Sequence, residues 1–365
     1  MGFDLVGEMK GYPSKSYHDP NDEEVIIKKG LARRVSINVV LVLLPVSLFF
    51  ASFLLGRYPI SPPEVIVVLA SKFLPIEHTW PAVLDTVVFR IRLPRIVAAM
   101  LVGSGLSVSG ASFQGLFRNP LVSPQILGVA SGAGFGAAMA ILFSGNPFMI
   151  QVSALLFGLI AVGMTYGISK MVRGTSTLVL VLAGIAVGAF FSALISLTKY
   201  VADPYEKLPA IVFWLMGSLS SVSNRDILMV SAPILIGMAI LLLIRWRINI
   251  LSMGDEEASA LGVNTRKLRI IIIVCCTIIT ASSVCISGII GWVGLIIPHV
   301  GRMLVGPDHK ALLPACVSIG AFYLLLVDNC ARTLTTAEIP LGILTAIVGA
   351  PFFVYLLRKS EMGWS

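Results

Sequence analysis

The residues best placed to do chemistry lie in one polar segment, residues 254–263, which reads GDEEASALGV. Three consecutive acids open this segment and basic residues flank it: the acids are Asp255, Glu256 and Glu257, and the bases are Arg245, Arg247, Arg266, Lys267 and Arg269. It is the long polar connection in the interior of an otherwise apolar sequence. A rigid polar hairpin between two hydrophobic halves is typical of a contact surface, so we expect it to meet a soluble partner protein.

The polar segment should fold as a short capped helix. Ser252 lies three residues before the first acid, as in a capping box, and the acids place negative charge in the first turn, where the helix dipole favours it. Gly262 suits the left-handed residue that ends a helix, and a second helix can begin after Asn264 or Thr265. The sequence therefore predicts a hairpin over residues 252–269.

The other reactive residue types form no catalytic pattern. His299 follows Pro298 in an apolar run, and a lone histidine at a glycine-rich break is more often structural than a haem ligand. The five cysteines lie in apolar surroundings without a CxxC pair, which favours small buried side chains over metal or redox work. No G-x-x-x-x-G-K-[ST] motif occurs, so the chain should not bind ATP through a P-loop. We expect no catalytic residue, metal site or cofactor here. If the chain pumps a solute, the energy must come from another polypeptide.

The elements that must carry the hairpin are membrane helices. The chain of 365 residues is 56% hydrophobic and 13% charged, with a mean hydropathy of +0.92, which indicates an integral membrane protein rather than a soluble enzyme. Its net charge of +8 therefore relates to membrane topology and not to nucleic acid. The apolar runs are too long for β-strands and do not alternate, so the predicted fold class is all-α and polytopic.

Ten apolar runs are candidates for transmembrane helices. Glycines and prolines interrupt several of them, so some should be short or broken. None contains Asp, Glu, Lys or Arg, which argues against a proton- or sodium-driven carrier because such carriers use intramembrane charges. The runs are residues 35–55, 96–117, 125–143, 149–168, 178–198, 227–244, 270–287, 289–300, 311–327 and 339–357.

Basic residues set the orientation of these spans. A cytoplasmic N-terminus followed by ten crossings places 18 of the 27 lysines and arginines inside, which satisfies the positive-inside rule. The even number of crossings returns the C-terminus to the cytoplasm and places the hairpin there. We expect a cytoplasmic tail over residues 1–34, a transmembrane domain over 35–365, and an exposed outer segment over 56–95 with a short helix near 62–72.

Several motifs occur together and in order. They are IRLPRIVAAMLVGSGLSVSGASFQGLFRNPL at 91–121, GVASGAG at 128–134, the hairpin, GWVGLIIPHVGR at 291–302, Asp308-His309-Lys310, and EIPLGILTAIVGAPFF at 338–353. Together they closely resemble the FecCD-like permeases of type II ABC importers, which carry iron–siderophore complexes, haem and cobalamin. The resemblance covers essentially everything after residue 35. It implies a homodimer, two ATP-binding subunits that hold ATP and Mg, and an extracytoplasmic substrate-binding protein.

Three groups of residues match functional positions of that family. The docking positions for the binding protein are Arg92, Arg95 and Arg332. The cytoplasmic gate positions are Asn119, Leu121, Ser176 and Thr177. The ATPase-coupling positions are Asp255, Glu256, Glu257, Ala258, Leu261 and Gly262. From the residues alone, other interpretations stay open: arginines that snorkel to the interface, a tight turn before a proline, and a solvated charged loop.

The expected function is therefore that of a permease subunit, not an enzyme, that moves a metal chelate across the cytoplasmic (inner) membrane by alternating access. An iron–siderophore complex is the first expectation for the cargo, with haem, cobalamin or an oxyanion carried by the same machine as alternatives. An ion-coupled secondary transporter is a more remote alternative. An intramembrane enzyme is disfavoured because the sequence lacks paired acids, metal-spaced histidines and an activated nucleophile.

Overall fold

The computed structural model describes residues 20–171 and 177–360, with side chains described from residue 35 onward except at 357, 359 and 360. Within these residues the regular structure is entirely helical, which confirms the all-α fold class. Seven of the described helices are long and apolar enough to cross a membrane, and four shorter apolar helices accompany them. The protein is a polytopic helical membrane protein.

Fourteen helices follow one another over the described residues. They are α1 (Pro20–Ser52), α2 (Pro62–Ala70), α3 (Ala82–Phe117), α4 (Val129–Phe143), α5 (Pro147–Met171), α6 (Thr177–Val201), α7 (Lys207–Met216), α8 (Asn224–Leu243), α9 (Arg245–Met253), α10 (Asp255–Ala260), α11 (Thr265–Ser287), α12 (Val293–Val305), α13 (His309–Thr333) and α14 (Leu341–Ser360). Each of the ten predicted runs matches one of the long helices or one of the short helices α4, α12 and α14. The sequence pattern does not predict α7, a helix of 10 residues.

The first helix begins well before the apolar run that it contains. Residues 20–34 of the predicted tail are helical and continue directly into the span, so the boundary at residue 34 is not a break in the backbone. This segment is rich in residues of good helix propensity, which explains the continuity. Residues 1–19 of the predicted tail lie outside the described residues.

The centre of the fold is α3, which is buried along almost its whole length after Leu93. A π-helical stretch, Thr86–Arg92, runs directly into the regular α-helix, and Pro94 lies in the first turn of that α-helix. Small residues let neighbouring backbones approach α3. A Cβ atom at Gly103 would lie 2.2 Å from the carbonyl oxygen of Gly320 on α13. Close backbone approach of this kind is what packs helices together inside a bilayer.

The two ends of the bundle carry different chemistry. The hairpin formed by α9, α10 and the start of α11 lies beside the first residues of α13, and we call this the hairpin end. Arg332 lies at the other end of α13, a helix of 25 residues and therefore roughly 37 Å long. Arg92 and Arg95 lie near Arg332, and we call this the arginine end.

The arginine end also carries α2, which confirms the short helix predicted near residues 62–72. Its N-terminus is closed by a capping box in which the backbone N–H and the hydroxyl of Ser61 donate to the Glu64 carboxylate at 2.9 and 2.7 Å. These hydrogen bonds stabilise the ionised form, and they lower the pKa of Glu64 below its ordinary value.

Candidate functional site

The hairpin has the helix–turn–helix form that the sequence predicts. The first helix, α10, has 6 residues, Asp255–Ala260, and Gly262 behind it adopts a φ of +75°, the left-handed conformation expected of a helix stop. The second helix begins at Thr265. Its N-cap is Asn264, whose side-chain oxygen accepts a hydrogen bond from the backbone N–H of Lys267 at 2.9 Å.

The predicted capping box at Ser252 is wrong. Ser252 still belongs to α9, where its hydroxyl donates to the carbonyl oxygen of Asn249 at 2.6 Å, and Gly254 is the N-cap of α10. Asp255 is instead fixed by a contact with the neighbouring helix α11. Its carboxylate forms an ion pair with the guanidinium of Arg269 on α11, and this pair closes the hairpin.

The six predicted coupling residues divide into a covered side and an exposed side. Ala258 is fully buried and packs the hairpin from within, so its side chain cannot contact a partner directly. Asp255 is partly covered by Arg269. Leu261 is 61% exposed, and Met253 just before α10 is also exposed. The exposed members of the predicted set are Glu256, Glu257, Leu261 and Gly262.

A polar cluster joins the hairpin to the first residues of α13. The side-chain oxygen of Asn249 on α9 accepts from the backbone N–H and from Nδ1 of His309, both at 2.9 Å, and its amide nitrogen donates to the carboxylate of Asp308 at 2.5 Å. Because an amide oxygen can only accept, the ring proton of His309 lies on Nδ1. Sequence reasoning missed Asn249, since nothing local marks a residue whose partners lie about 60 positions away.

The predicted gate residues Asn119 and Leu121 lie in the loop between α3 and α4, at the hairpin end. Arg118 ends α3 in a left-handed conformation with a φ of 50°, and Pro120 follows, so the helix breaks here as predicted. Asn119 and Leu121 are both exposed. The side-chain oxygen of Asn119 accepts the backbone N–H of Leu121 at 2.9 Å and thereby shapes the turn.

A cavity of about 290 Å³ lies between the start of α6 and the hairpin. Thr177 lines it together with Phe117, Asp255 and Arg269, so one predicted gate residue and one predicted coupling residue share this space. Ser176 lies outside the described residues. Leu121 lines a separate cavity, also of about 290 Å³. Of the described gate residues, Leu121 and Thr177 therefore line different cavities.

The three predicted docking arginines are buried, with exposed fractions of 3% for Arg92 and 6% for Arg95 and Arg332. Arg95 forms ion pairs at 2.9 Å with the fully buried Asp328 on α13 and with Glu338 in the loop that follows α13. These acids neutralise a charge that would otherwise be costly to bury. Sequence reasoning missed the roles of both acids, because their common partner lies on a distant helix.

The other two arginines bind backbone carbonyl groups. Arg92 donates to the carbonyl oxygens of Phe53 and Tyr58, and Arg332 donates to that of Ser52 at 2.8 Å and to the side chain of Asn329. Arg92 and Arg332 therefore fasten the end of α1 and its following loop to α3 and α13, whereas Arg95 ties α3 to α13 and to the loop that follows α13. Interfacial snorkelling does not describe them, since their guanidinium groups lie inside the protein.

His299 also has an internal partner. Its Nε2 lies 3.1 Å from the carbonyl oxygen of Pro120, and because a carbonyl only accepts, Nε2 carries the proton and donates. Among the described residues, no cluster of three His, Cys, Asp or Glu side chains could hold a metal ion. The cysteines are free thiols, buried except for the partly buried Cys330.

Comparison with known sequences places the chain in a family. Residues 41–359 match the profile of the FecCD transport family. The chain is 46% identical over 309 residues to the molybdate import system permease protein MolB of Haemophilus influenzae, with 85% of this chain and 91% of MolB covered. It is 43% identical over 278 residues to the "Probable iron chelatin transport system permease protein" of Helicobacter pylori, with 76% of this chain and 84% of that protein covered.

A solved structure has the same fold. It is an inward-facing conformation of an ABC transporter described as of the metal-chelate type, and it superimposes with a TM-score of 0.79 at 44% sequence identity. The match covers 89% of this chain and 99% of that chain. The protein described here is thus a permease subunit of an ABC importer for metal chelates or related substrates, and it belongs to the FecCD transport family.

Proposed function

We propose that the protein forms the translocation path of an importer that carries a metal chelate across the cytoplasmic (inner) membrane, with an iron–siderophore complex as the first candidate cargo. The observation that carries this proposal is the exposed polar hairpin, on a chain whose sequence has no P-loop. A transporter without its own ATP site needs a surface through which another subunit can move it. The positive-inside rule assigns the hairpin end and both chain termini to the cytoplasm.

Two ATP-binding subunits, which hold ATP and Mg, would sit beneath the hairpins of two copies of this chain. Glu256, Glu257 and Leu261 would contact them directly, because these side chains are exposed. Asp255 and Ala258 would act from within, by closing and packing the hairpin. The stiffness of the hairpin then matters as much as its surface, because a flexible hairpin would absorb a displacement of the ATP-binding subunit and would not pass it to the membrane helices.

The second copy of the chain would complete the translocation path at a two-fold axis. Large apolar side chains stay exposed on α6 at helical spacing, including Leu178, Leu182 and Ile185, and they need either lipid or another protein surface. Gly184 on the same helix is already used within the chain, since a Cβ there would lie 2.3 Å from the carbonyl oxygen of Ile126. In the dimer, Asn119, Leu121, Ser176 and Thr177 would close the path on the cytoplasmic side.

An extracytoplasmic binding protein would dock at the arginine end. Arg92, Arg95 and Arg332 hold the loops of this face in place, and Glu338, whose side chain is 31% exposed, covers Arg95 from the outside. We propose that acidic residues of the binding protein approach this cluster and compete with Glu338 for Arg95. Such charge complementarity positions a partner and speeds its arrival more than it adds affinity.

The cargo and the energy source can be tested in one experiment. The chain would be reconstituted in proteoliposomes with its ATPase subunit and its binding protein, and uptake of iron–siderophore, haem, cobalamin and molybdate would be compared. We expect uptake of a metal chelate that needs ATP and persists when ion gradients are dissipated. Molybdate is the second candidate, because MolB, at 46% identity, is named for molybdate import. Uptake by the chain alone on an ion gradient would overturn the proposal in favour of a secondary transporter.

A further inference from the structure

The loop between α3 and α4, which we call the gate loop (residues 118–125), is attached to α12 at two points and to the segment just before α12 at a third. Nε2 of His299 donates to the carbonyl oxygen of Pro120 at 3.1 Å. The amide nitrogen of Gln125 donates to the carbonyl oxygen of Ile290, just before α12, at 3.0 Å. Between these two hydrogen bonds, Pro124 packs onto α12, where a Cβ atom at Gly294 would lie 2.3 Å from its Cγ.

A side-chain bridge from α3 strengthens this attachment. The side-chain oxygen of Gln114 accepts from Arg302 of α12 at 2.7 Å, and its amide nitrogen donates to the carbonyl oxygen of Val122 in the gate loop at 3.2 Å. Arg302 lies one helical turn after His299, so both side chains leave the same face of α12. The gate loop is therefore tied to α12 both directly and through Gln114.

The backbone on each side of α12 is suited to a change of direction. Trp292, the N-cap residue, has a φ of +69°, which is unusual for a residue with a side chain and is maintained only where the surroundings enforce it. Gly306 follows the helix with a φ of +87°. Two residues later, Asp308 and His309 bind Asn249 of the hairpin. A displacement of the hairpin would thus move the residues that directly follow the C-terminal end of α12.

We propose that α12 carries the gate loop as one rigid unit and that His299 is the positioning residue that determines where Leu121 stands. The contacts run in order from the hairpin through Asn249 to Asp308, then along α12 to His299 and Pro120. The term gate rests on the proposed function, but the attachment of the loop to α12 does not. This route joins the hairpin to the gate loop through side-chain contacts and the backbone of residues 306–308.

A thiol-accessibility assay tests the attachment on the purified full chain in nanodiscs. Leu121, which is exposed, is replaced by cysteine, and its rate of modification by a membrane-impermeant maleimide is measured against the chain with only its native thiols. In this background, His299→Leu removes the donor, and His299→Gln keeps an N–H donor of similar reach. We expect His299→Leu to change the labelling rate by about fivefold, the equilibrium factor of one hydrogen bond, and His299→Gln to restore it.

Two further variants keep the test decisive. A cysteine at Leu261, on the exposed hairpin tip, should label at the same rate with and without His299→Leu, whereas a parallel change there would show general loosening and overturn the proposal. Should His299→Leu fail to fold, Gln125→Leu removes a second tie and should alter labelling of the cysteine at 121 in the same way. Unchanged labelling in the folded variants would also overturn it. Failure of ATP-driven uptake in the unsubstituted chain would refute the proposed function and leave this assay interpretable.

Discussion

Arg95 and Asp328 form a two-point ion pair although they lie 233 positions apart in the sequence: Nε of Arg95 donates to both carboxylate oxygens of Asp328, at 3.0 and 2.9 Å. Both side chains are almost completely removed from solvent. The pair joins α3 to α13 at the arginine end, and the close approach of Gly103 and Gly320 joins the same two helices further along. These two helices are therefore held together at two separate points along their length.

Replacing Asp328 by alanine should destabilise the protein strongly. The substitution leaves Arg95 buried without its main counter-charge, and breaking a buried ion pair in this way typically costs about 3–5 kcal/mol. Thermal unfolding in detergent should show a large fall in the midpoint. Glu206→Gln, which removes an exposed acid paired with Lys207, should change stability by less than about 0.5 kcal/mol. Equal midpoints for the two variants would refute the structural role of Asp328.

The Gly103–Gly320 contact predicts a second stability effect. In Gly320→Ala the new Cβ would lie 2.3 Å from Oγ of Ser107 and 2.4 Å from the carbonyl oxygen of Gly103, so α3 and α13 must separate. Overpacking of this kind costs about 1–3 kcal/mol. The matched control is Gly163→Ala on α5, where a Cβ would meet nothing within 4 Å and alanine favours the helix. Thermal midpoints should fall only for the first variant, and a fall in both would point to a cause other than packing.

Docking of the binding protein should respond to Glu338. We expect Glu338→Gln to speed association, because it removes the partly exposed carboxylate that competes for Arg95, and added salt should slow association in both forms. Glu206→Gln removes one negative charge from the same side of the bundle without touching the arginines, so it controls for net charge. Association rates can be measured by passing the permease over binding protein that is immobilised on a sensor surface. If Glu338→Gln and Glu206→Gln change the association rate equally, Arg95 is not part of the docking site.

The fold was largely predictable from the sequence because the length and hydropathy of a span are local properties. The Asn264 cap and the Gly262 stop were predictable for the same reason, since each depends on residues within one helical turn. The burial of the arginines was not predictable. Their partners, Asp328, Glu338 and the backbone of residues 52–58, are remote in sequence, and an arginine at the end of an apolar run is equally compatible with the lipid interface.

The error at Ser252 has a comparable cause. The spacing of a capping box was present, but α9 extends through Ser252 to Met253 and leaves Gly254 as the cap of the next helix. Local spacing could not reveal that extension, because α9 is fixed by the contacts of Asn249 with Asp308 and His309. The hairpin is thus shaped partly by a tertiary cluster.

The ion pair that closes the hairpin should matter for coupling more than for assembly. Asp255→Asn weakens the pair with Arg269, which is half-buried and contributes about 1 kcal/mol at most, so the protein should still fold and bind its ATPase subunit. A more flexible hairpin should transmit less of the movement that ATP hydrolysis produces. We therefore expect more ATP to be hydrolysed for each cargo molecule imported. Lys267→Gln, an exposed change near the start of α11, should leave this ratio unchanged. If Asp255→Asn leaves the ratio of ATP hydrolysed to cargo imported unchanged, the Asp255–Arg269 ion pair has no role in coupling.

The central claim is that ATP drives this chain through the exposed hairpin tip, and the most direct measurement is ATP-dependent uptake by proteoliposomes that contain Leu261→Asp. The site is 61% exposed, so the fold should be preserved, and Lys310→Gln, also exposed at the hairpin end, serves as the control. Our account predicts that Leu261→Asp loses its ATPase subunit and at least tenfold of its uptake rate, about 1.4 kcal/mol or more of interaction free energy, while the control transports normally. Uptake at the wild-type rate by folded Leu261→Asp would contradict it.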